Sequence, residues 1–206
     1  MNTKHALKHP ERLTVLGPNN ETYTGGSQEW YTDTWHKRAG CGPVTAATLL
    51  WYTAREIFVP NGADTVSAFI QLMDDIFKYV TPTMKGVNTS DIFTDGLTRF
   101  TAERNVSITQ RVMEIPAVGK RPAIKDAAGF ITDALNADAP VAFLNLSNGT
   151  LKNLDNWHWV TVFAYDGDTH QADICDLGNA FTIDMAEWLR STALGGAFVY
   201  FTVGGS

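Results

Sequence analysis

An α+β fold follows from three features of the sequence. Residues 43–103 repeat apolar side chains at three- and four-residue spacing, residues 106–203 are dominated by β-branched and aromatic runs, and the two regimes succeed one another instead of interleaving. Segregation of this kind gives a helical lobe packed on a mainly antiparallel sheet. The chain of 206 residues, 44% hydrophobic, suffices for one substantial core. A single domain is expected, divided into an N-terminal hairpin and loop (1–34), a helical lobe (35–105) and a mainly β lobe (106–206).

Taken in order, residues 13–16 and 22–24 read as a small hairpin around Gly17-Pro18-Asn19-Asn20. A helix is predicted over 43–58, with Pro43 in its first turn, where a missing N–H costs nothing. The next, 65–79, places Val66, Phe69, Ile70, Met73, Ile76 and Phe77 on one face, and a third over 90–103 is capped by Thr89 or Ser90. After these the period changes. Residues 106–115 alternate as a strand, 124–137 return to helix, and 138–144 are again extended. Strands then dominate to Val203, interrupted by a helix near 184–190. There is no internal repeat and no low-complexity tract.

Charge and hydropathy narrow the function classes. The 16 basic and 22 acidic residues leave a net charge of −6, which argues against nucleic acid or an anionic membrane surface as a partner. No apolar run approaches the roughly 20 residues of a membrane span. The polar start Met1-Asn2-Thr3-Lys4-His5 lacks the apolar segment of a signal peptide, so a cytoplasmic location is expected. Two cysteines do not make a disulfide framework.

The first of them carries the chemistry. Cys41 stands in Gly40-Cys41-Gly42-Pro43-Val44, where a glycine-rich turn feeds an apolar helix. The unpaired N–H groups and dipole of a helix N-terminus stabilise an anion, and the thiolate is the nucleophilic form of cysteine. A nucleophile of this kind needs a base. His158 opens the strand-like run Trp157-His158-Trp159-Val160-Thr161-Val162, which ends at the turn Asp166-Gly167-Asp168-Thr169 and is followed by a second extended stretch over 171–177. A hairpin centred on Gly167 places Val162 opposite Ala172, Val160 opposite Ile174, and His158 opposite Asp176. Opposed residues share a face about 5 Å apart, so a carboxylate falls beside the imidazole. A slip of one residue brings Asp173 or Cys175 there instead.

Cys41, His158 and Asp176, in that order, resemble the papain-like cysteine peptidases, and most closely the bacterial branch that includes the double-glycine leader peptidases. In that branch a Cys-Gly-Pro or similar motif opens the central helix, and a His-Trp or His-Tyr strand is followed by an aspartate on the next strand. The likeness extends over roughly residues 35–180, about two thirds of the chain. It implies a papain-like fold, a peptide or amide substrate, no cofactor, and a Cys41–His158–Asp176 triad working through an acyl-enzyme. The chain departs from the pattern at one place. Papain-like peptidases usually carry a glutamine six residues before the cysteine to hold the oxyanion, and Trp35 stands there. Gln28, His36 and the Cys41 backbone N–H are the alternative donors.

Other readings stand beside this one. The same triad serves acyltransferase or transglutaminase-like transfer to an amine or thiol, and a papain-like module that has lost its chemistry binds peptides. Cys41 also fits a small buried residue under a turn, His158 a core histidine, and Asp176 a turn former, with Asn179 and Asp173 the replacements if the register differs. Strand alternation turns Cys175 to the face opposite Asp176 and away from the site. His36 and Cys41 are not spaced as metal ligands, and no metal is expected. Trp35, Trp157 and Trp159, with Trp30 and Tyr31, are candidates to wall a substrate groove, and aromatic residues are also common core.

Overall fold

The computed structural model describes residues 4–117, 119 and 121–204, so the Met1-Asn2-Thr3 start lies outside the described residues. The fold is α+β. A sheet of seven strands runs β4 (Ile108–Ile115), β9 (Gly196–Val203), β5 (Val141–Asn145), β6 (His158–Asp166), β7 (Gln171–Asp176) and β8 (Asn179–Asp184), with β1 (Lys4–Ala6) paired to β6. Every pairing is antiparallel. The sequence holds no signal strong enough to mark β1. Its partners Asp166, Tyr165 and Ala164 lie beyond the stretch of β6 that β5 covers, so β1 continues the lane of β5. His5 is in β1, and its Nδ1 lies 2.9 Å from Asn136 Oδ1. A separate hairpin joins β2 (Thr14–Leu16) to β3 (Thr22–Thr24), as the turn residues predict.

One face of the sheet carries the helical half. The helices α2 (Cys41–Phe58), α3 (Val66–Phe77) and α4 (Ser90–Ala102) share a core with Ala142 and Leu144 of β5, Trp159 of β6 and Val199 of β9. Thirteen of the eighteen residues of α2 are buried. A helix apolar on all sides has to be central, and α2 is enclosed by α3, α4 and the sheet. The others bury one face each. Their starts are fixed by side-chain caps, Thr65 accepting from Ala68 N–H and Thr89 from Ile92 N–H, each worth about 1 kcal/mol. On the opposite face α5 (Ile124–Asn136) and α6 (Met185–Ser191) cover Val141, Phe143, Val160, Val162 and Ile174.

The hairpin that carries the site differs in register from the expected one. Beside its turn Tyr165 pairs with Ala172, and farther along Val162 pairs with Ile174 and Thr161 with Cys175. The turn is longer than expected: Asp166 Oδ1 accepts from the N–H groups of Asp168 and Thr169, and His170 adopts a left-handed φ of 57°. That turn alone pairs odd residues with even ones and would set His158 on the face of Cys175. A bulge between Val162 and Ala164 adds one residue to β6 and restores the phase. His158 and Asp176 thus share a face as diagonal neighbours instead of direct partners.

Candidate functional site

Cys41 is the first residue of α2 and follows α1 (Thr34–Ala39) with only Gly40 between them. The close packing explains both flanking glycines. A Cβ on Gly40 would lie 2.4 Å from the His36 carbonyl oxygen and 2.5 Å from the Tyr31 ring, and one on Gly42 would lie 2.7 Å from Val87. Val87 is held in turn by Trp159, whose indole N–H donates to its carbonyl at 2.5 Å. The cysteine is thereby pinned between the helical half and the strand that begins at His158.

His158 is buried, with 7% exposure. Its Nε2 lies 2.8 Å from Asp176 Oδ1, which leaves Nδ1 for the thiol side. Burial disfavours the charged ring, but the hydrogen bonds and charges of Asp176 and Cys41 outweigh it and raise the His158 pKa from 6.5 to about 10. The imidazolium is the form this environment holds. Asp176 ends β7, and the two-residue turn Leu177-Gly178, both at positive φ (49° and 78°), returns the chain to β8. The alternatives are occupied elsewhere. Asn179 is exposed and donates to the Leu177 carbonyl, while Asp173 accepts from Thr182 and pairs with Lys4 at 3.4 Å near the other end of the hairpin.

The same turn brings Gln28 in. Thr24 N–H donates to Gly178 O (2.9 Å) and Gly178 N–H to Gly26 O (3.0 Å), which stitches the segment before Gln28 to the turn after Asp176. Gln28, Cys41, Thr45 and Asp176 all line a small cavity of about 10 Å³. Gln28 Oε1 is buried there with no hydrogen-bond partner.

No protein-family model and no curated protein matches this chain.

A larger cavity of about 390 Å³ opens on the other side of Cys41, lined by Trp35, Arg38, Ala39, Met84, Lys85, Gly86 and Trp157. Trp35 and Trp157 thus line a cavity beside Cys41. Trp159, expected there too, does not line this cavity. It is 1% exposed and stacked on Phe93 at 4.4 Å, because its position on β6 faces the helical core. Trp30 and Tyr31 likewise pack inward, against Phe69 and Phe77. His36 lines neither cavity at Cys41. Its ring is instead stacked on Phe77 at 3.7 Å. Cys175 also departs from expectation: it shares the small cavity with Cys41 because its side of β7 faces α2, close to Gly25 and Thr48. Burial raises its pKa to about 12. Sequence reasoning missed Arg38, Met84 and Lys85. The one available signal was Met84-Lys85-Gly86, an apolar residue exposed in a turn.

Among the described residues no group of three or more His, Cys, Asp or Glu is arranged to hold a metal, and no helix is long and apolar enough to cross a membrane.

Proposed function

We propose that this protein is a papain-like cysteine hydrolase acting on an amide, and that the bond it cleaves is a peptide bond. The observation that carries the reading is the His158–Asp176 hydrogen bond of 2.8 Å beside a cysteine at the start of the central helix. Cys41 as nucleophile, His158 as base and Asp176 as orienting carboxylate fill the three roles of general triad chemistry. The Cys41 sulfur attacks the carbonyl carbon, the C–N bond breaks, and the His158 imidazolium gives its proton to the departing amine nitrogen. Water then attacks the thioester, with His158 taking its proton, and the acid is released. Asp176 keeps Nδ1 of the ring directed to the thiol and stabilises the imidazolium.

Gln28 supplies the oxyanion donor through its side-chain amide N–H, joined by the Cys41 N–H, one of the unpaired donors at the helix start. Its place in the small cavity it shares with Cys41 supports this role. Hydrolysis is favoured over acyl transfer because the cleft is open to water: Met84 is 89% exposed and Trp157 49%. The test is interception of the intermediate. Activated esters of short peptides, rapidly quenched, should leave an acyl adduct on Cys41 by mass spectrometry, and the adduct should decay to free acid in buffer. Absence of the adduct with a range of peptide esters would refute the reading.

A further inference from the structure

We propose that the cleft beside Cys41 selects acidic peptides, with Arg38 and Lys85 reading carboxylates and Met84 and Trp157 holding the apolar side chains between them. The inference rests on the hydrolase reading for the chemistry, but not for the binding. The chain carries six more acidic than basic side chains (22 against 16), yet the lining of this cavity includes two cations and no carboxylate. Neither cation is in an ion pair with a described residue, whereas the neighbouring Lys37 reaches Glu29 at 3.9 Å. A local reversal of charge at the mouth of a site sets which ligands approach and which are repelled.

The reading groups are held in place. Arg38 projects from α1, whose start is capped by Asp33 accepting from His36 N–H at 2.9 Å. Lys85 and Met84 sit on a turn closed by reciprocal backbone hydrogen bonds between Thr83 and Gly86, at 3.0 and 2.9 Å. Trp157 adopts a left-handed φ of 55° immediately before His158, which leaves its ring half exposed at the cavity edge. A ligand therefore meets cations from two separate segments and apolar surface between them. Exposed Met and Trp beside a nucleophile give an adaptable apolar contact that a purely electrostatic surface lacks. A single small carboxylate satisfies one cation. An extended chain with carboxylates along it reaches both.

The test uses Cys41→Ala protein, so that binding is measured without turnover. Fluorescein-labelled peptides of one length and one set of apolar residues, differing only in Glu, Gln or Lys at the remaining positions, are titrated by anisotropy at low and high salt. The Glu set should bind about tenfold more tightly than the Lys set at low salt, with the gap narrowing as salt rises. Arg38→Glu with Lys85→Glu should reverse the order, and Arg38→Gln with Lys85→Gln should level it. Both side chains are exposed, so these variants should melt as the parent does. Equal binding of the three sets, or a preference untouched by the double reversal, would overturn the proposal. If the Glu set binds selectively and the unmutated protein leaves those peptides intact, the hydrolase reading fails while the selectivity stands.

Discussion

Cys41 and Cys175 are both buried and both line one small cavity between α2 and the sheet. Their surroundings differ in what else is within reach. Cys41 begins a helix, interacts with a histidine that a carboxylate holds charged, and also faces the larger cleft. Cys175 lies on β7 beside Asp176, against Thr161 of β6, Gly25 and Thr48, and burial pushes its thiol up to about 12. Burial alone makes a cysteine inert. In the proposed reading, the partners gathered around Cys41 and a route for substrate make it a nucleophile.

The largest expected effect comes from removing what separates the two thiols. His158→Ala should lower peptide turnover by about 10²- to 10⁴-fold and leave Cys41 as unreactive as its neighbour, read by steady-state kinetics and by alkylation on the same preparation. Next comes Gln28→Ala, which should lower kcat by about 10²- to 10³-fold through the lost oxyanion donor while leaving alkylation of Cys41 unchanged. Equal loss of both readouts would make Gln28 a structural residue and not a donor. The smallest effect is on stability. The folded chain raises the His158 pKa from 6.5 to about 10, so the stabilisation from its proton is complete below about 6.5 and is lost as pH rises toward about 10. Melting temperature should therefore fall across that window, and Asp176→Asn should flatten the fall. A wild-type profile level over the same range would contradict the charge assignment.

Local chemistry was legible in the sequence wherever a residue acts on its near neighbours. Thr65, Thr89, Gly40 and Pro43 mark helix starts, and the structure places the helices there. The strand opening at His158 and the helix at 185–191 read equally well, the latter capped by Asp184. What stayed hidden depends on distant partners. The register of the β6–β7 hairpin is set by an Asp166-centred turn and by the bulge at Phe163, two irregularities with opposite effects on phase. Asp176 was reached by a register that was off by two, an error that preserves the face. Cys175 was misplaced because the position of α2 over the sheet is a tertiary fact. Gln28 could be named as a donor, but its approach to Cys41 depends on hydrogen bonds between residues 24–26 and Gly178, which no spacing reveals.

The most direct measurement is iodoacetamide labelling of the folded protein from about pH 5 to about pH 9, with each cysteine followed separately by peptide mass spectrometry. The account expects Cys41 to label rapidly well below pH 8, to lose that reactivity in His158→Ala, and Cys175 to remain unlabelled until the chain is denatured. Slow labelling of Cys41 that climbs with pH like a free thiol, and is indifferent to His158, would contradict it.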